Sequence, residues 1–297
     1  MFQHLMTHFI TRTRSQLVPV TPFIHRPKSL LAPPISCSQT LSSLQFSTDT
    51  SAFSHHPIRL PEDLSRNVTV LSCESSAEGG VCHVYLLGTS HVSKESSREA
   101  QAIVKFLKPQ VVFLELCSSR ASILTRKNLK IHVPTDEEMV TMLKRKHHMF
   151  EVLYGWCCAK RASELDVLPG NEFRVAYQEA IKYGAKVILG DRPIHITLRR
   201  TWSKMPLWYI LKLLYFKLFC RQHFPISGGF KKKEMNKEFP TLMETLVHER
   251  DQYMSSTLLK VARENSSVVA VVGEAHLQGI KKHWKQPVVM EDLMTVP

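Results

Sequence analysis

Acidic residues are absent from two stretches of this 297-residue chain. The first 48 residues hold four basic residues and no Asp or Glu, and a second acid-free stretch runs from Arg192 to Lys233. The formal net charge is +13, and setting the first 48 residues aside leaves 35 basic and 26 acidic residues, a net +9. Such a balance favours an anionic partner, which could be a lipid surface, a nucleic acid or an acidic substrate.

None of the seven cysteines forms a Cys-x-x-Cys pair, and their number is odd. An odd count in a chain of this length argues against a disulfide framework, and the missing pairs argue against a thiolate zinc site. We therefore expect reduced, partly buried thiols, the usual state of free cysteine.

A long apolar run is also missing. The best candidate for a membrane segment, residues 205–221, is interrupted by Lys212 and Lys217, and it falls short of the ~20 apolar residues of a spanning helix. We favour a core helix with two snorkelling lysines, and keep a basic aromatic helix in peripheral contact with a membrane as the alternative. No base-reading or stacking motif accompanies the basic residues, so no nucleic-acid partner is expected.

The amino-terminal composition is typical of an organelle transit peptide, with Arg, Ser, Thr and Pro but no acid before Asp49. The apolar block of a secretory signal is absent. Residues 44–48 resemble a mitochondrial processing region. We predict that residues 1–60 are a disordered transit peptide and linker for mitochondrial import, with chloroplast import or a plain disordered tail as alternatives, and that residues 61–297 form one domain.

Three apolar runs end at a glycine that is followed by polar residues. Residues 84–87 precede Gly88 and lead to His91, residues 268–272 precede Gly273 and lead to His276, and residues 186–189 precede Gly190. Short apolar runs bounded by turn residues predict buried strands, and glycine permits a sharp turn after them. Because open α/β sheets bind ligands at the carboxyl ends of their strands, we expect His91 and His276 to come together there.

The first half of the predicted domain contains a strand–helix–strand unit. Residues 66–73 and 81–87 predict a hairpin, with the turn at 75–80. Ser93 is a predicted N-cap for a helix with apolar residues at 100, 103, 104 and 107. Residues 111–116 predict the next strand, which should be parallel to 81–87, so that the carboxyl ends of the two strands lie together.

Glu115 is an acid at the end of that otherwise apolar strand. Burial of an unpaired carboxylate is costly, so Glu115 should have a partner. The candidates are a metal ion, His91 or Arg120, and a purely structural ion pair is the alternative.

Further polar positions follow from the helix signals. Two capping boxes are predicted, Thr135 with Glu138 and Thr241 with Glu244. Asn171 is a predicted N-cap, and Pro193 is a predicted first helical residue. Asp191 and Arg192 occupy the strand-to-helix turn before Pro193, where polar residues often act; a local ion pair between them is the alternative. Arg250 lies on the apolar side of the helix after 241, so we expect it to point into the site.

Taken together, these residues resemble the TraB family, which includes the pheromone-shutdown protein PrgY and is related to the Tiki proteins. The plant-like TraB proteins of organelles are the most similar group, and the resemblance covers about 81–284. The motifs are Gly88–Ser93, Glu115–Arg120, Gly190–Pro193 followed by Ile196–Leu198, Glu249–Asp251, and Gly273-x-x-His276 followed by Gly279-Ile280. One departure is Glu274, where members more often have a small or apolar residue.

The resemblance implies an α/β fold, here a mixed sheet with flanking helices, in which the two Gly-x-x-His motifs and Glu115 converge. Tiki relatives are metal-dependent proteases, and related erythromycin esterases are hydrolases. Some plant relatives act as adaptors or tethers at mitochondrial membranes.

Two functions follow as expectations. The first is a metal-dependent hydrolase in which His91, Glu115 and His276 bind one Mn, Co or Zn ion, with an open position for water. Arg192 or Arg250 would then stabilise the oxyanion of a peptide or small-molecule substrate, with Arg120 and Asp191 as substrate-binding residues. The second is a non-catalytic adaptor at an organelle membrane.

Overall fold

A computed structural model of the chain describes most of residues 57–297. The described residues are 57–90, 93–125, 132–145, 170–206 and 239–297, with the isolated residues 152, 155, 156, 158–160, 163, 208, 209 and 237. His91, residues 1–56 and most of 205–221 lie outside them, so the expectations for His91, the presequence and the membrane segment stay predictions.

Five strands form one mixed sheet. They are β1 Val68–Glu74, β2 Val81–Thr89, β3 Val111–Leu114, β4 Lys186–Leu189 and β5 Ser267–Gly273. The order across the sheet is β1-β2-β5-β3-β4, in which β1 is antiparallel to β2 and the remaining neighbours are parallel. This confirms the predicted α/β class with a mixed sheet in a single domain.

Helices cover both faces of the sheet. They are α1 Glu62–Ser65, α2 Lys94–Leu107, α3 Ser122–Thr125, α4 Asp136–Lys144, α5 Asn171–Lys182, α6 Ile194–Lys204, α7 Pro240–Met243, α8 Glu249–Ala262, α9 Glu274–His283 and α10 Met290–Met294. A 3₁₀ turn, Ser118–Arg120, precedes α3, and a π-helical turn, Glu244–His248, joins α7 to α8.

The predicted strand–helix–strand unit is confirmed as β2–α2–β3, but the two strands are not neighbours. β5 lies between them and pairs in parallel with both. Residues 268–272 of β5 are fully buried, as expected for a strand covered on both faces. As expected, β2 and β3 are parallel and their carboxyl ends lie at the same edge of the sheet, with the end of β5 between them.

Alternate residues of the central strands fill two cores. Val269 and Val271 face α2 and α5, whereas Val268, Ala270 and Val272 face α8 and α9. Full burial of an apolar side chain of this size stabilises the folded state by about 1.5–3 kcal/mol. The sheet is thus the middle of three layers. The polar residues that follow its strands lie at the sheet edge and belong to neither core.

Gly88 does not turn the chain, contrary to expectation. It lies inside β2, and its φ is not among the positive values of the described glycines. A Cβ there would lie 2.3 Å from Cδ1 of Leu277. Close packing against α9 is the physical reason for glycine at this position.

The hairpin between β1 and β2 does require glycine. Gly79 and Gly80 have φ values of 94° and 68°, and Ser75 N donates to Gly80 O across the turn. The predicted hairpin is confirmed. The chain already contacts the sheet slightly before residue 61, because Ile58 N donates a hydrogen bond to the hydroxyl of Tyr85 on β2 at 2.7 Å.

Two of the predicted helix starts are confirmed. The hydroxyl of Ser93 accepts from the backbone of Glu95 and Ser96, and Thr135 with Glu138 forms a full capping box. Local bonds of this kind depend on residues three apart, so the sequence alone identifies them.

Three predicted helix starts are shifted or wrong. Asn171 is the first helical residue, with Gly170 as N-cap, and Pro193 is the N-cap of α6. The capping box at Thr241 is wrong, because α7 already begins at Pro240, whose ring suits the first helical position. Thr241 lies within the helix and accepts at its carbonyl from the Thr245 hydroxyl.

The four cysteines with described side chains, at 73, 82, 117 and 158, are buried and form no disulfide with one another, in line with expectation. Within the part of the chain that the structure describes, no helix is long and apolar enough to cross a bilayer.

Candidate functional site

The parallel strands β2, β5, β3 and β4 bring their carboxyl ends to one edge of the sheet. Glu115 follows β3 and still pairs with β5, as its N–H donates to Val271 O at 3.1 Å. Asp191 follows β4, and its N–H donates to Leu116 O at 3.1 Å. His276 lies in the first turn of α9, directly after β5. Three strand ends thus place two acids and an imidazole side by side.

Glu115 is 2% exposed and is held by groups from distant parts of the chain. Its Oε2 accepts from the backbone N–H of Gly273 at 2.6 Å, and its Oε1 accepts from Nη2 of Arg250. Nε2 of His276 lies 3.2 Å from the same Oε1. Arg120, a partner considered from the sequence, donates instead to the backbone oxygen of Glu115.

Arg250 joins three predicted site residues. Besides Glu115, its Nε and Nη2 donate to the two carboxylate oxygens of Asp191, each at 2.9 Å. Its Nη1 lies 3.1 Å from Nε2 of His276. Burial by itself would lower the pKa of Arg250, but Asp191 and Glu115 outweigh it and raise that pKa. The guanidinium is a permanent positive charge in the middle of the cluster.

Asp191 lies between two buried arginines. Arg120 Nη2 donates to its Oδ2, and Arg250 contacts both oxygens. Burial would raise the pKa of Asp191, but the charges of Arg250 and Arg120 hold it at about 2. Asp191 is therefore a carboxylate at neutral pH.

His276 is 4% exposed and is bound at both ring nitrogens. Nδ1 lies 2.5 Å from Oδ1 of Asp251, and Nε2 faces Glu115 and Arg250. Burial would lower the pKa of His276, yet the charge of Glu115 and the hydrogen bond to Asp251 raise it.

Arg192 belongs to a neighbouring cluster. Its Nη1 donates to Oε2 of Glu249 at 2.6 Å, and Arg200 and Lys204 bind the same carboxylate. Burial would raise the pKa of Glu249, but hydrogen bonds from Arg200, Lys204 and Arg192 hold it at about 2. The local Asp191–Arg192 ion pair considered from the sequence is replaced by these separate pairings, with only the Arg192 N–H donating to Asp191.

The structure thus brings together Glu115, Arg120, Asp191, Arg250 and His276, and places Arg192 beside them. The sequence prediction missed Glu249 and Asp251 as functional neighbours. Their signal was present: Glu249, Arg250 and Asp251 are three consecutive charges in one helix, and all three are buried. Successive helical residues point about 100° apart, so each of the three must meet a different partner.

A metal ion was expected between His91, Glu115 and His276. Among the residues with described positions, no group of three His, Cys, Asp or Glu side chains is arranged to hold one, and His91 is not among those residues. The donor types of Glu115 and His276 suit Mn, Co or Zn, and Asp251 bonds the second ring nitrogen as outer carboxylates do for metal-ligating histidines. Arg250, however, contacts the same Oε1 and Nε2 atoms, so an ion would compete with it.

Known proteins are similar to this chain in overall sequence. Residues 213–287 match the model of the TraB/PrgY/gumN family. TraB domain-containing proteins of Mus musculus and Homo sapiens are 32% and 31% identical to this chain in alignments of 270 positions that cover 79% of this chain and 70% of each relative. An uncharacterized protein of Methanocaldococcus jannaschii is 30% identical in an alignment of 220 positions that covers 69% of this chain and 54% of that protein. The predicted resemblance is confirmed, and the chain belongs to the TraB family.

Proposed function

We propose that this chain is a metal-dependent hydrolase with its site at the carboxyl edge of the parallel strands. The observation that supports this most is the buried contact between an imidazole and a carboxylate, His276 and Glu115, on adjacent strand ends. Strand-end clusters of ionisable groups with shifted pKa values are typical of functional sites.

In this proposal His276 Nε2, Glu115 and His91 hold the ion. When bound, an Mn, Co or Zn ion would activate a water molecule and polarise the carbonyl of a peptide or ester substrate. Arg250 bridges Glu115 and His276 in the present arrangement, so it must withdraw from both atoms for the ion to bind. Its bidentate contact with Asp191 would keep it next to the site.

Arg250 fits the oxyanion role better than Arg192. The Nε of Arg192 donates to Thr197, and its two terminal nitrogens donate to Glu249 and to the carbonyls of Leu293 and Thr245. Because of these bonds, few hydrogen-bond donors of Arg192 remain for a substrate. Arg250, released from Glu115 and His276, would gain free donors directed to the place where charge develops.

Arg120 and Asp191 are proposed to orient the substrate. Arg120 is 1% exposed, and its Nε has no hydrogen-bond partner among the described residues. An unpaired buried donor is costly, so a substrate oxygen would satisfy it. Asp191 holds Arg120 and Arg250 next to each other, because its Oδ2 accepts hydrogen bonds from both guanidinium groups.

The test is metal content by mass spectrometry on the full chain after incubation with Mn, Co or Zn. We expect about one equivalent in the wild type, and loss of that metal in both His91→Ala and His276→Ala. His195→Ala is the matched control, because His195 is exposed on α6 and should leave the metal in place. Absence of metal from the wild type, or its retention in both variants, would contradict the proposal.

A second candidate is an adaptor that contacts an organelle membrane through residues 205–221. Its support is the +9 charge that remains without the first 48 residues and the indole of Trp208, which is 55% exposed while the adjacent Tyr209 is buried. This function predicts salt-sensitive binding to anionic liposomes that is lost when Lys212, Lys217 and Arg221 are changed to Glu. Wild-type protein that does not bind such liposomes would remove this candidate.

A further inference from the structure

One buried carboxylate lies in the contact between α8 and α9. Asp251 on α8 is 1% exposed, and its Oδ1 lies 2.5 Å from Nδ1 of His276 on α9. An ionised carboxylate can only accept a hydrogen bond. Nδ1 is therefore the ring nitrogen that carries a proton.

The other ring nitrogen has a different environment. Nε2 lies 3.1 Å from Nη1 of Arg250 and 3.2 Å from Oε1 of Glu115. A guanidinium can only donate, so its hydrogen bond to Nε2 requires a free lone pair there. With the proton on Nδ1, the neutral ring bonds both Asp251 and Arg250. Glu115 Oε1 favours the opposite tautomer, with the proton on Nε2, so Asp251 is the group that decides between the two.

Gly279 leaves the space that Asp251 occupies. It follows His276 by three residues on α9, and residues three apart share a helix face. A Cβ at Gly279 would lie 1.8 Å from Oδ2 and 2.3 Å from Cγ of Asp251. Any side chain at this position would push the carboxylate away from His276.

The second carboxylate oxygen of Asp251 makes no hydrogen bond to the described residues in this position. Oδ2 is buried and has no hydrogen-bond partner among the described residues. Leaving a buried carboxylate oxygen without a hydrogen bond destabilises the folded state. Stability alone therefore does not account for Asp251, whereas the bond to His276 does.

We propose that Asp251 is a positioning residue that keeps the proton of His276 on Nδ1 and turns Nε2 toward Glu115 and Arg250, and that Gly279 makes room for it. The role of Nε2 as a metal ligand rests on the proposed function. The position of the proton does not depend on that function, so the two can fail separately.

The test is the position of the ring proton, read from ¹⁵N-histidine NMR of the full chain without metal, at alkaline pH where the ring is neutral. The His276 signals are assigned by their loss in His276→Ala. We expect a protonated Nδ1 in the wild type. In Asp251→Ala the proton should move largely to Nε2, where Glu115 can accept it, whereas Asp251→Asn should keep it on Nδ1 through its amide oxygen.

Gly279→Ala provides an independent test that retains Asp251. We expect the same movement of the proton to Nε2, and no further change when Gly279→Ala is added to Asp251→Ala, since no carboxylate is left to displace. Ser255→Ala is the matched control. It removes a 3.3 Å hydrogen bond from Ser255 Oγ to Ile280 O at the same helix contact, and should lower stability without moving the proton.

A wild-type proton on Nε2, or one that stays on Nδ1 in both folded Asp251→Ala and Gly279→Ala, would overturn the inference. Metal-binding measurements test the positioning role of Asp251 separately from the proposed hydrolase function. If the wild type binds metal, Asp251→Ala should weaken the affinity about 10–100-fold, and unchanged affinity would count against the positioning role. If the wild type binds none while the proton moves as expected, the hydrolase proposal fails and the positioning role stands.

Discussion

At the scale of single residues, Arg250 compensates two buried acids at once. Glu115 and Asp191 both bind its guanidinium, and both are almost fully buried. Removing one partner of a buried ion pair costs about 3–5 kcal/mol, because the remaining charge is left without compensation.

We expect Arg250→Met to lower the free energy of unfolding by about that amount. Arg250→Lys should lower it by less, since lysine keeps the charge but cannot form the planar fork that reaches both acids. Urea denaturation measures both. Arg199→Met is the control, because Arg199 is exposed on α6 and should change stability by no more than about 0.5 kcal/mol. A similar loss in the control and in Arg250→Met would contradict the role given to Arg250.

Glu249 should make the protein sensitive to acid. Its pKa is about 2 in the folded protein against an ordinary value of 4.5, so the folded state binds fewer protons than the unfolded state between these values. Stability is then fully present above about pH 4.5 and falls as the pH approaches 2. The loss from this residue is of the order of 3 kcal/mol, at about 1.4 kcal/mol per pKa unit.

The check is the free energy of unfolding as a function of pH, compared with Glu249→Gln. The variant should be less stable at neutral pH and should lose less stability on acidification. Part of the slope should remain, because the pKa of Asp191 is also about 2. Parallel curves for the two proteins would show that Glu249 does not contribute.

At the scale of elements, two strand-end glycines have different neighbours. A Cβ at Gly190 would lie 1.8 Å from Cζ of Phe113, whose ring is fully buried. A Cβ at Gly88 would meet Leu277 at 2.3 Å, but Leu277 is only partly buried and can change rotamer.

We therefore expect Gly190→Ala to destabilise the protein by about 1–3 kcal/mol or more, the usual cost of overpacking a rigid core. Gly88→Ala should cost less, and Leu277→Ala should offset its cost when the two changes are combined. Urea denaturation of the single and double variants decides the point. Equal losses in both glycine variants would contradict this difference between a rigid and a movable neighbour.

The π-helical turn before α8 is a second feature at this scale. It joins α7 to α8 directly before Glu249. A π turn inserts an extra residue into the helical repeat and often occurs at functional sites. Here it sets the helical phase in which Glu249 meets Arg200 on α6, Arg250 meets Glu115 at a strand end, and Asp251 meets His276 on α9.

At the scale of the whole molecule, the charge is unevenly distributed along the chain. The first 48 residues are basic without any acid, the composition of a transit peptide. We propose mitochondrial import, and expect residues 1–60 fused to a fluorescent protein to reach mitochondria. Arg12→Glu with Arg14→Glu should abolish that import. Fluorescence in chloroplasts would support the alternative, and cytosolic fluorescence of the unchanged fusion would contradict both.

The sequence by itself determined the local structure of this protein. Apolar runs at residues 84–87, 111–114 and 268–272 predicted the central strands, and Ser93 and Thr135 predicted helix starts. These features depend on residues a few positions apart, so their periodicity and capping are visible in the chain. The Gly-x-x-His, Glu115 and Asp191 motifs also indicated which sheet edge holds the candidate site.

Only the tertiary structure decided how those elements meet. It placed β5 between β2 and β3, and paired Glu115 with Arg250 across 135 residues of sequence instead of with nearby Arg120. It also replaced the expected turn at Gly88 with a packing contact and revealed Asp251 behind His276. The physical reason is that charges and cavities find their partners through space, and local periodicity carries no information about contacts between distant segments.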